Sequence, residues 1–147
     1  MKKGYTLIEL ITALALCSLV AVSMISLLLR YNSNFKLESK RMRDHFYAEE
    51  ALLFIDNTIK SSKQVNVTDS YIELYYENTS IKKVIGQNLQ GDIVITHVEN
   101  GVNSTTNNVL NNIANFTVSK KENTIYVSIT VNTGERFSRC VGIKLIS

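Results

Sequence analysis

A chain of 147 residues, 45% hydrophobic and 20% charged, is long enough for one folded core and short for two. Its formal net charge of +3 is too small to point to nucleic acid, whose binding rests on a dense basic patch. These averages conceal a division. From Tyr5 to Leu29 the chain holds a single carboxylate, Glu9, and no basic residue, whereas from Arg30 onward it is polar and rich in Asn, Ser and Lys. One part suits lipid and the rest suits water.

The first element follows two lysines, Lys2 and Lys3. The 25 residues from Tyr5 to Leu29 would span roughly 37 Å as a helix at about 1.5 Å per residue, enough to cross a hydrocarbon core of about 30 Å. The lysines favour a cytoplasmic N-terminus, and Arg30 closes the run on the far side. Glu9 is out of place in such a segment, because a charge near the centre of a membrane helix costs about 2.5–3.5 kcal/mol on insertion scales. It is either an acid tolerated near the interface or a group that meets a positive partner when chains associate. A conventional secretory signal is the alternative for this segment, with Ala21 and Ser23 as small residues at a cleavage spacing. The uninterrupted run to Leu29 and the presence of Glu9 argue against it.

The string Lys3-Gly4-Tyr5-Thr6-Leu7-Ile8-Glu9 resembles the cleavage and methylation motif of type IV prepilins. The resemblance implies a leader over residues 1–4, cut by a prepilin peptidase between Gly4 and Tyr5, with Lys2 and Lys3 as its basic residues. It implies N-methylation of Tyr5, which stands where the family usually has phenylalanine. It assigns Glu9 to assembly, as the acid that meets the new α-amine of a neighbouring subunit. Loss of Lys2 and Lys3 would lower the formal charge from +3 to +1.

No glycine or proline occurs from Tyr5 to Ser62, so one long helix is expected to about residue 62. Its weak point is Arg30-Tyr31-Asn32-Ser33-Asn34, poor in strong helix formers and open to a kink. Ala48, Leu52, Ile55 and Ile59 make one apolar face suited to covering a sheet. Phe35, Met42, Phe46 and Leu53 form a second stripe, for neighbouring subunits or for further core. In the apolar segment Glu9, Thr12, Ser23, Ser26 and Arg30 fall within about 100° of arc, a candidate packing stripe if the clustering is not chance.

Beyond Ser62 the period changes to two. Strands are expected at Gln64–Thr68, Tyr71–Tyr76, Ile81–Ile85, Asp92–Val98, Ile113–Lys120, Thr124–Val131 and Phe137–Ile146. Turns are expected at Glu77–Thr79, Lys120–Asn123 and Asn132–Glu135. Residues Gly101–Asn112, rich in Asn, Ser and Thr, read as a loop with a short helix near Val109-Leu110. The fold class is α+β: a long N-terminal helix packed on a C-terminal antiparallel sheet, with residues 30–147 as the extracytoplasmic domain.

Cys17 and Cys140 are too differently placed for an intramolecular disulfide. His45 and His97 lie in no metal-spacing motif, and no phosphate loop or nucleophile elbow is present. Neither enzyme activity, metal nor cofactor is expected. The resemblance implies a structural subunit, a minor pilin or pseudopilin of a type IV pilus or a related secretion or competence machine. Its partners would be other pilin or pseudopilin subunits, the prepilin peptidase, the cytoplasmic membrane and the platform protein of the assembly machine. It would be a single-pass cytoplasmic membrane protein before assembly and part of an extracytoplasmic filament afterwards. Ser26 stands where abundant subunits carry proline, and Cys140 has no partner for a C-terminal disulfide loop, which favours a minor subunit. The alternatives are a major pilin, a filament-displayed adhesive module contacting its ligand through residues 101–112, and a plain membrane-anchored surface protein.

Overall fold

The computed structural model describes residues 6–76, 81–99 and 101–143. The chain divides into two compact units, Met1–Arg41 and Met42–Ser147. Helix α1 (Leu7–Lys60) supplies all the regular structure described in the first unit and enters the second. The helix is unbroken through Arg30–Asn34, the stretch whose composition leaves it open to a kink. Without glycine or proline, the four weaker helix formers Tyr31, Asn32, Ser33 and Asn34 cost only a few tenths of a kcal/mol each, and neighbouring turns carry them. The helix ends at Lys60, two residues short of the expected limit, where Ser61 and Ser62 turn back onto the carbonyls of Thr58 and Ile59 through their hydroxyls (2.8 and 2.6 Å).

The second unit holds eight strands: β1 (Gln64–Thr68), β2 (Tyr71–Tyr75), β3 (Ile81–Gln87), β4 (Ile93–Glu99), β5 (Val102–Leu110), β6 (Ile113–Lys121), β7 (Thr124–Val131) and β8 (Arg136–Gly142). Every pairing is antiparallel. The strands form two sheets rather than one, β1-β2-β3-β4-β5 and β6-β7-β8, each a meander in chain order. The core is where they meet the helix: Ala48, Leu52, Ile55 and Ile59 are all buried, as their spacing predicts. They share one cluster with Ile72, Leu74, Ile85 and Ile93 of the first sheet and Phe116, Ile125, Val127 and Ile129 of the second.

The seam between the sheets is a set of specific hydrogen bonds. Ile113 N–H donates to Gly91 O (2.8 Å) and Val118 N–H to Asp69 O (3.2 Å). The Gln87 amide bridges the gap, accepting from Phe116 N–H (3.2 Å) and donating to Ile113 O (3.4 Å). Gly91 is required here, because its φ is +84° and a Cβ would stand 3.1 Å from Ile113 O.

The expected loop at 101–112 is instead mostly strand: β5 pairs with β4 along its length. Six polar residues in a row, Asn103–Asn108, leave none of the alternation that marks a half-buried strand, because this strand is solvated on both faces over most of its length. The expected turn at Glu77–Thr79 falls outside the described residues for Asn78 and Thr79 as well as Glu77, and the last strand ends at Gly142, with residues 144–147 also outside them.

Candidate processing and assembly segment

Thr6 and Glu9 open the helix as a reciprocal pair. Thr6 N–H donates to Glu9 Oε2 (2.9 Å), the Thr6 hydroxyl donates to the same oxygen (3.0 Å), and Glu9 N–H donates to Thr6 Oγ1 (3.4 Å). This is a capping box, in which the residue before the helix and the one three positions later satisfy each other's orphan amides. The carboxylate also stands at the positive end of the helix dipole. Oε1 accepts no hydrogen bond among the described residues, so one carboxylate oxygen stays open to an outside donor.

Behind the cap the helix presents apolar side chains on all sides. Every residue from 6 to 41 is exposed, including Leu7, Leu10, Leu14, Leu19, Ile25 and Leu29. Among the described residues α1 is the one helix long and apolar enough to cross a membrane. Its hydroxyls are satisfied from within: Thr12 donates to the carbonyls of Ile8 and Glu9 (both 3.0 Å), Ser18 to Ala15 O (2.7 Å), Ser23 to Leu19 O (2.8 Å) and Ser26 to Val22 O (2.9 Å). Entering lipid therefore strands none of these four donors, which removes the main penalty of a polar group there.

The N-terminal segment matches the family model of the prokaryotic N-terminal methylation motif over residues 1–25. This match supports reading the chain as a type IV pilin-like prepilin. The motif implies processing by a prepilin peptidase and assembly with other pilin subunits, and with the apolar helix it supports membrane anchoring before assembly. No curated protein and no solved structure matches the chain.

Of the residues assigned to this pilin-like start, Lys2, Lys3, Gly4 and Tyr5 lie outside the described residues, and Glu9 is at the helix start with Thr6. Thr6 was the residue missed, although Thr-x-x-Glu ahead of an apolar run is a legible capping signal. Among the described residues no group of three or more His, Cys, Asp or Glu side chains stands ready to hold a metal ion. His45 is exposed with its ring edge-on to Phe137 (centroids 5.0 Å apart), and His97 is half-buried on β4. Cys17 and Cys140 are both free thiols.

The second unit has a carboxylate of opposite character. Asp56 is 5% exposed, with the Lys60 ammonium at 2.9 Å from Oδ1 and 3.0 Å from Oδ2, and Arg139 Nε of β8 at 3.3 Å from Oδ2. It ties the helix to the second sheet. On β2, Glu73 accepts from Lys82 (2.8 Å) and the Tyr75 hydroxyl (3.0 Å). The bond from Lys82 holds the Glu73 carboxyl below the usual carboxylate range, and the same carboxylate raises both the Lys82 ammonium and the Tyr75 phenol.

Proposed function

We propose that this prepilin is a minor pilin or pseudopilin, a structural subunit of a type IV pilus or of a related secretion or competence filament. A prepilin peptidase cuts between Gly4 and Tyr5, behind Lys2 and Lys3, and methylates Tyr5. The mature chain stays in the cytoplasmic membrane as a single span over residues 5–29. The platform protein of the machine then passes it into an extracytoplasmic filament, where residues 30–147 form the outer domain.

The observation that carries this reading is Glu9, the one charge between residues 6 and 29 of the exposed apolar run and inside the methylation motif. Alone, it is held by Thr6 with one oxygen open. The α-amine of another subunit's Tyr5 supplies the missing cation, and two charges poorly tolerated in lipid neutralise each other. A plain anchor gains nothing from such an acid. Ser26 in place of a helix proline, and Cys140 without an intramolecular partner, favour a minor subunit over a major one.

The test is Glu9→Ala, compared with the wild-type chain in cells that assemble filaments. Processing is expected to continue, while the amount recovered in the sheared filament fraction falls at least tenfold. Incorporation at the wild-type level would contradict an assembly role for Glu9 and leave a membrane-anchored surface protein.

A further inference from the structure

Leu74, Lys83 and His97 stand opposite one another on β2, β3 and β4. Residues in register share one face of a sheet, and Leu74 is fully buried in the core, so this row lies on the side that meets the helix. A lysine on that side needs an explanation. Lys83 is half-buried, and among the described residues no carboxylate lies within ion-pair reach of it. Its ammonium lies instead 4.8 Å from the centre of the Tyr76 ring. Its neighbour Lys82, on the opposite face of the same strand, pairs with Glu73 at 2.8 Å.

A cavity of about 530 Å³ adjoins this row, within the range of about 300–1,000 Å³ that ligand sites occupy. Lys83, Ile95 and His97 line its sheet wall, and Tyr47, Glu50 and Phe54 its helix wall. Glu50 follows Tyr47 by three residues and precedes Phe54 by four, so one ring stands a turn before the carboxylate and the other a turn after it. The two rings are 49% and 45% exposed, an apolar surface that the chain leaves uncovered. Glu50 is exposed and, like Lys83, makes no ion pair among the described residues. An acid and a base thus line the two walls of one cavity without meeting.

We infer that this cavity binds a small zwitterion with an apolar body, its amine on Glu50 and its carboxylate on Lys83. Charge complementarity selects that class. A purely apolar ligand would leave both charges unanswered, and an ion of either sign would leave one of them so. Charge-assisted hydrogen bonds are the strong ones, and a site built to make them rejects an analogue that lacks either group. His97, in register with Lys83, adds an imidazole that carries at least one N–H donor for the same carboxylate. Tyr47, Phe54 and Ile95 receive the apolar body. The site lies wholly within the second unit and does not depend on cleavage or on Glu9.

The experiment uses the full chain in nonionic detergent micelles and three probes: phenylalanine, N-acetylphenylalanine, which lacks the cation, and phenylalanine amide, which lacks the carboxylate. The readout is the NMR shift of the Ile95 methyl and the Tyr47 and Phe54 ring resonances as each probe is added. Phenylalanine is expected to give a saturable shift and to bind at least tenfold more tightly than either analogue. Glu50→Gln should abolish its advantage over N-acetylphenylalanine and keep its advantage over the amide, and Lys83→Gln should do the reverse. Glu50 is exposed, so Glu50→Gln keeps the fold, and the comparison of the three probes on the unaltered chain needs no variant. The absence of a saturable shift with phenylalanine, or equal affinity for all three probes, would overturn the inference. So would an advantage over N-acetylphenylalanine that survives Glu50→Gln, or one over the amide that survives Lys83→Gln.

Discussion

The two stretches of α1 are built from similar residues and use them in opposite ways. Leu16 in the first unit is 64% exposed and Leu52 in the second is 1% exposed. The carboxylates divide likewise: Glu9 is held by its own first turn, whereas Asp56 is buried between Lys60 and Arg139 of another element. The second stretch finds its partners inside the chain. Among the described residues the first is exposed throughout, which fits the membrane anchoring that the motif and the apolar helix support. One helix thus serves as a core element at one end and, in the function proposed, as an assembly element at the other.

The largest effect should come from the buried stretch. Leu52→Ala removes a fully buried side chain between helix and sheets and should cost about 2–5 kcal/mol, read from urea unfolding of the second unit. Leu16→Ala should stay within about 0.5 kcal/mol in the same assay, since its side chain is exposed among the described residues. Equal losses would erase the contrast between the stretches.

Next comes the helix-to-sheet tie. Arg139→Met withdraws one of the two cations that pair with Asp56 and should cost about 1–3 kcal/mol, with Lys60 still in place. The smallest effect belongs to Glu73 and Lys82, where a partly exposed pair is worth less than about 1 kcal/mol. The Glu73 carboxyl is depressed in the folded chain, so its contribution is fully present above its unfolded value of about 4.3. That contribution is lost as the pH falls through the lower folded value. Lys82→Met should raise the Glu73 titration midpoint toward the ordinary range in an NMR titration and shrink this acid-dependent loss.

The comparison also explains what the sequence could convey. The buried face of α1 was legible because Ala48, Leu52, Ile55 and Ile59 repeat at helical spacing. The strands of the second sheet were legible because Ile125, Val127, Ile129 and Val131 alternate with wetter neighbours. The strand β5 was not, since a strand exposed on both faces has no apolar alternation to detect. The division into two sheets was also hidden. It turns on the Gln87 amide and on the backbone of Gly91 and Ile113, contacts made 22 to 29 residues apart that leave no periodic trace. Glu9 stands out by its cost, as a charge where lipid is expected, and by its place in the motif, whereas its local partner Thr6, three residues away, is legible only as a capping signal.

The account rests on the start of the mature chain. Its most direct test is the intact mass and N-terminal sequence of the protein, expressed with and without a prepilin peptidase. With the peptidase the chain should begin at Tyr5 and carry one added methyl group, and without it the chain should begin at Met1. An unchanged Met1 start in the presence of an active peptidase, or a cut near Ser23, would contradict the processing assigned to Gly4 and Tyr5.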